Sequence, residues 1–139
     1  MAHDHPAPVD PGGPEGLVPI ASRRFGPSTE SVALVRRMVA GHLAGETAEC
    51  RDAVVCVASE LAANAVVHAG TPYIIQLRIG DFVRIEATDL APIAPFVWPV
   101  TEDARRGRGL LIVAALSADW GVDWRDTWKV VWAEIARDD

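Results

Sequence analysis

Lysine is almost missing from this chain. Lys129 is the only one among thirteen basic residues. It does not stand in a G-x-x-x-x-G-K-[ST] string, so a P-loop is excluded. H-E-x-x-H, G-x-S-x-G and the eukaryotic-type kinase signatures are absent as well. The two cysteines, Cys50 and Cys56, fall six apart in one predicted helix. They point in different directions and lack metal-ligand spacing, so they read as buried thiols in a reducing compartment. No apolar run approaches membrane-spanning length, and the N-terminus lacks a basic-then-apolar leader pattern, so the expected setting is soluble and cytoplasmic. Excess positive charge is missing too. The net charge of −6 argues against nucleic acid or an anionic membrane as the main partner.

What is present is apolar material for one domain. The chain has 139 residues, half of them hydrophobic, which suffices for a real core. Residues 1–16, MAHDHPAPVDPGGPEG, are rich in Pro and Gly and are expected to be disordered, leaving a folded region over 17–137. His3 and His5 in that tail read as solvated rather than as ligands.

LVPIASRRF reads as a short edge strand. In PSTESVALVRRMVAGHLAG, Ser28 is a cap candidate, Val32, Val35, Val39 and Leu43 recur at helical spacing, and Gly45 is a stop. Thr47 opens a second helix that runs through Val54, Ala58, Leu61 and Ala65 to about His68, with Gly70 ending it. YIIQLRI and FVRIEATD are strands joined by Gly80-Asp81, a two-residue hairpin turn. Tyr73, Ile75, Leu77 and Ile79 share one face of the first. Val83, Ile85, Ala87 and Asp89 share one face of the second. After Asp89 the chain stays irregular through Pro92, Pro95 and Pro99, a loop long enough to suggest function. GRGLLIVAALSA starts a third helix, and DWGVDWR and TWKVVWAEIA form a last strand pair. This order predicts an α+β two-layer sandwich, with a mixed, mostly antiparallel sheet covered by helices on one face.

Within ASELAANAVVHAG, Glu60, Asn64 and His68 stand one turn apart on the flank of the apolar face. On this helix alone they could be a solvated stripe, with His68 half-buried near a helix C-terminus that favours it. Two other features point towards a pocket. Asp89 falls on the apolar parity of its strand, where a carboxylate must be paired or bind something. Arg106, Gly107, Arg108, Gly109 and Leu110 lie at a glycine-rich helix start, whose N–H groups suit phosphate, although the arginines also read as plain surface charge. Together these suit the parts of a nucleotide. A carboxylate can accept from the adenine amino group. An amide oxygen can complete the shell of Mg²⁺, which keeps few protein ligands when phosphates supply the rest. Helix N–H groups can hold phosphates, and a second carboxylate can orient or deprotonate the attacking group.

At this point SELAANAVVHAG resembles the N-box of Bergerat-fold (GHKL) ATPases, the group containing gyrase, MutL and histidine kinases. The chain looks most like the small anti-sigma-factor serine kinases and their actinobacterial relatives. The resemblance runs from about Leu17 to Ile135 and includes SELxxNAVxHA, D-x-x-P, GRGLxxVxALSxxWGV and K-x-V-W-x-E. It implies ATP and Mg²⁺, with Asn64 as the Mg²⁺ ligand and Glu60 as the general base toward a protein serine or water. It implies Asp89 on the adenine amino group, Gly107, Gly109 and Leu110 near the phosphates, and residues 90–106 as an ATP lid. The implied partners are a sigma factor and a small antagonist protein that competes for it. A nucleotide-sensing module that transfers no phosphate is the alternative, and a structural interaction protein with an empty pocket is a third. Three positions depart from the pattern: Ala91 replaces Gly or Ser, Trp128 replaces Gly, and Val130 replaces a Thr that helps hold adenine in relatives. A dimerisation helix pair with a phosphoacceptor histidine is absent, so a histidine-kinase resemblance extends to the catalytic module alone. Trp120 and Trp124 share one parity, Trp128 and Trp132 another. Core packing is the plainer reading for some of these four; an exposed aromatic face there, and the habit of relatives, would make the chain a homodimer.

Overall fold

The computed structural model describes residues 16–89, 104–125 and 128–137. The expected tail up to Glu15, and most of the expected lid, from Leu90 to Asp103, lie outside the described residues. So does Ala91.

The elements are β1 (Val18–Phe25), α1 (Thr29–His42), α2 (Ala48–Ala69), β2 (Tyr73–Ile79), β3 (Phe82–Asp89), α3 (Ala104–Leu116), β4 (Asp119–Arg125) and β5 (Trp128–Ala136). The strands form one sheet in the order β1-β2-β3-β5-β4. All four pairings are antiparallel, so the sheet is simpler than the mixed one expected. β1 is an edge strand, as its proline predicts. Pro19 cannot donate to a ladder, and the β1–β2 register shifts between Pro19 and Ala21.

The helices cover one face of this sheet. α2 lies across β2, β3 and β5, with α1 and α3 beside it. The apolar spacing of α1 buries Val35 and Val39, and Leu43 at its C-cap. Ser28 holds the N-cap position, but its side chain makes no cap bond. Its carbonyl instead accepts from Ser31 Oγ at 2.7 Å, and Ser31 Oγ lies 2.6 Å from the Tyr73 hydroxyl. With the serine proton committed to Ser28, Tyr73 is the donor, and the start of α1 is tied to β2. The cap of α2 behaves as its sequence predicts. The Cys50 amide donates to Thr47 Oγ1 at 3.1 Å, and Gly70 ends the helix with φ +60°, the left-handed conformation that glycine takes without strain.

Alternation along the strands builds the core. Tyr73, Ile75 and Leu77 meet Val83, Ile85 and Ala87, then Val131, Ala133 and Ile135, beneath Val54, Ala58, Leu61 and Ala65 of α2. The opposite face is also buried and carries charge. Arg84 Nε donates to Glu86 at 2.7 Å, Arg84 Nη1 donates to Glu134 at 2.7 Å, and Arg78 stands 3.7 Å from Glu86. The Arg84 guanidinium lies 4.2 Å from the centre of the Trp132 ring. That ring fills the space over Gly121, where a Cβ would come within 2.9 Å of it.

Candidate functional site

The helix-covered face ends in a cavity of about 320 Å³, between one end of α2, the first half of α3 and the β4–β5 hairpin. Asn64 of α2 and Leu110 of α3 form one side. Trp120, Val122 and Trp124 of β4, with Lys129 and Val131 of β5, form the other. Strand parity explains the second group. Trp120 pairs with Ala133, Val122 with Val131 and Trp124 with Lys129, so all three β4 residues point to the helix side. Trp120 continues into the core, while Trp124 is 45% exposed at the mouth. The Lys129 ammonium sits 5.8 Å from the centre of the Trp124 ring.

Asp89 ends β3 beside this cavity. It is 8% exposed, faces the helix side, and lies directly opposite Lys129 on β5 and Tyr73 on β2. Side chains directly opposite in an antiparallel pair have Cβ atoms about 5 Å apart, so Asp89 adjoins the cavity through Lys129. Glu60 lies one turn before Asn64, half-buried on the same flank of α2 and about 6 Å away along the helix axis. Its carboxylate is felt by Cys56, one turn further back. Burial first, and the Glu60 charge second, push the Cys56 thiol above the ordinary thiol range. The His68 side chain lies outside the described residues, as do those of Arg106 and Arg108.

The glycine-rich segment sits differently from its expected place. Gly107 and Gly109 were expected immediately before a helix, but α3 already begins at Ala104. Ala and Arg are good helix formers, and a helix tolerates an internal glycine at a cost of about 1 kcal/mol. In α2, which starts at Ala48, the Arg51 amide already donates to Thr47 at 2.9 Å; by the same count the unbonded N–H groups of α3 precede Gly107 and include neither glycine.

The sequence reading missed the pocket's most polar wall residue after Asn64. Lys129 was noted for its rarity and as the first residue of K-x-V-W-x-E, and its shared face with Asp89 depends on the β3–β5 register. Trp120 and Trp124, read as core or interface residues, line the cavity. Val130 pairs with Thr88 and Asp123 on the opposite face, so the departure there lies across the sheet from the cavity. Trp128 shares the parity of Val130.

Among the described residues, no three His, Cys, Asp or Glu side chains gather as a metal site. Among the described lining residues, the side-chain oxygen available to a metal is the Asn64 amide. That fits a hard ion held mainly by phosphate and water rather than a protein cage.

A three-helix layer over an antiparallel sheet, with a pocket between the helices and the last hairpin, is an α+β two-layer sandwich. The chain matches the histidine kinase-like ATPase domain over residues 25–135, and it belongs to that family. It is an ATP-binding regulatory domain of the GHKL type. No curated protein matches the chain significantly.

Proposed function

We propose that this domain binds Mg-ATP in the cavity walled by Asn64 and acts as a serine kinase on a small antagonist protein, holding a sigma factor as its second partner. The observation that carries the reading is the convergence of four separate elements on one cavity. α2 brings Asn64 to its wall and Glu60 one turn away, α3 brings Leu110, and the β3–β5 pair brings Asp89 and Lys129 to its edge.

Asn64 would offer its amide oxygen to Mg²⁺, which neutralises phosphate charge when bound. Asp89 would accept from the adenine amino group, and the face of Trp124 would pack on the base. The first turn of α3, ahead of Gly107, would approach the phosphates with its unbonded backbone N–H groups. Glu60 would take the proton of the substrate serine as its oxygen bonds to the γ-phosphorus. The bond from that phosphorus to the bridging oxygen breaks, and ADP leaves. The antagonist, once phosphorylated, would no longer compete for the sigma factor.

A second reading has its own support. The cavity wall is largely apolar, and Glu60 lies a turn outside it, which suits a module that senses nucleotide and changes partner without transferring phosphate. Calorimetric titration of Mg-ATP into the wild type and Asn64→Ala tests the site. Binding whose Mg²⁺-dependent part disappears in the variant supports it, and absence of heat with no competition by ADP sinks both readings. Phosphotransfer to antagonist, lost in Glu60→Ala while ATP still binds, separates the kinase from the sensor.

A further inference from the structure

A second groove lies at the far end of α2. Its volume is about 500 Å³, and its walls are the start of α2, the end of α3 and the end of β5. Glu49 and Asp52 form a rim, and Ala53, Ala115, Leu116 and Ile135 form an apolar floor. Fifteen residues of helix separate Glu49 from Asn64, about 22 Å along the axis, so this groove is distinct from the nucleotide cavity.

The floor continues onto the open side of α3. Leu111 is 68% exposed, Ile112 36% and Leu116 38%. Leu111 stacks one turn before Ala115 and Ile112 one turn before Leu116, so the four make a continuous aliphatic strip. Val113 is the buried member of this helix among the residues whose side chains are described. The strip is not matched by charge of both signs. Among the described residues, the groove lining includes two carboxylates and no cation. Two basic residues next to the lining in sequence bond to another residue. Arg137 clamps Glu46 at 2.9 and 3.0 Å, and Arg51 reaches the Glu46 carbonyl at 3.4 Å.

From this geometry we infer that the groove docks a segment of a partner protein carrying aliphatic side chains flanked by lysine or arginine. Charge complementarity selects the occupant. The carboxylate rim repels phosphate-rich surfaces, which sets aside nucleic acid and anionic lipid, and it attracts a basic segment whose aliphatic residues cover the strip. The inference does not rest on nucleotide binding. α3 nevertheless touches both places, with Leu110 at the cavity and Leu116 at the groove, about 9 Å apart along the axis.

The test uses the whole chain without nucleotide, so that its failure is separable from failure of the ATP reading. The probe is a fluorescein-labelled helical peptide with leucines at i, i+3, i+4 and i+7 and lysines between them. Two controls replace its leucines by serine or its lysines by glutamate. Amide shifts on adding the Leu/Lys peptide are expected at residues 49–53, 111–116 and 135–136. Both controls should fail to produce them. Glu49→Lys with Asp52→Lys, both exposed positions, should weaken the peptide by about tenfold or more with the circular dichroism unchanged. Leu116→Asn should weaken it without altering the salt dependence. Shifts spread over the whole acidic surface would overturn the proposal, as would equal binding of the Ser/Lys control or indifference to charge reversal. Self-association in gel filtration that the same charge reversal abolishes would overturn it in favour of a second copy of the chain.

Discussion

Arg84 is the residue whose loss the structure prices most clearly. It is 6% exposed, gives one nitrogen to Glu86 and another to Glu134, both at 2.7 Å, and holds its guanidinium carbon 4.2 Å from the Trp132 ring centre. Truncation to Ala leaves Glu86, itself 8% exposed, with Arg78 at 3.7 Å and without its short bond. Removing one partner of a buried pair costs about 3–5 kcal/mol, because the other charge stays desolvated. Arg78 still offsets part of the Glu86 charge, and Glu134 keeps some access to water, so the lower part of that range applies, about 3 kcal/mol. The lost guanidinium–indole stack adds about 1 kcal/mol. Together Arg84→Ala should lose about 3–4 kcal/mol, which for a domain of this size lowers Tm by roughly 12–16 °C. Urea melts followed by far-UV circular dichroism measure it, and tryptophan emission reports the uncovered Trp132. Arg84→Lys should fall between the two, since one ammonium cannot fork to both carboxylates. A loss below about 1 kcal/mol for Arg84→Ala would refute the reasoning, because it would mean the network is solvated and its charges behave as surface pairs.

Other outcomes follow from single features. Gly121→Ala places a Cβ against the Trp132 ring and should cost about 1–3 kcal/mol, checked by the same melts, while a combined Trp132→Leu change should recover part of it. In a Cys50→Ala background, the pH profile of Cys56 alkylation should lie above that of a free thiol. Glu60→Gln should move it downward but not fully back, since burial remains the larger cause; an unmoved profile would place the Glu60 charge elsewhere. Burial raises the Tyr73 phenol above its ordinary range, against a smaller opposite effect from Ser31. The neutral form is the one the fold holds, so its contribution is complete below the unfolded value of about 10 and is lost as pH rises through the folded value. Tyr73→Phe should therefore melt lower at neutral pH yet show a shallower alkaline decline, and equal slopes in the two proteins would remove Tyr73 as the cause.

Much of the architecture was legible because it depends on local chemistry. Thr47 caps α2 with a side-chain oxygen one turn from its donor, Gly70 stops it with a positive φ, and period-two alternation in YIIQLRI and FVRIEATD sets which residues face the helices. Pro19 marks an edge because the missing N–H is a property of the residue itself. The flank row of Glu60 and Asn64 follows from helical rise alone. The start of α3 was not legible. Glycines suggest a boundary by propensity, and the helix begins three residues earlier because the preceding Ala and Arg residues favour it.

The sequence by itself determined the element types, their order, and the side of α2 on which the polar row stands. These are matters of spacing along one segment. Only the tertiary structure decided that Lys129 faces the same way as Asp89, that Trp120 and Trp124 line a cavity, that Val130 turns away from it, and that Arg84, Glu86 and Glu134 meet on the opposite face. Those facts rest on the register between strands far apart in the chain. A shift of one residue in that register would exchange every inward side chain for its neighbour.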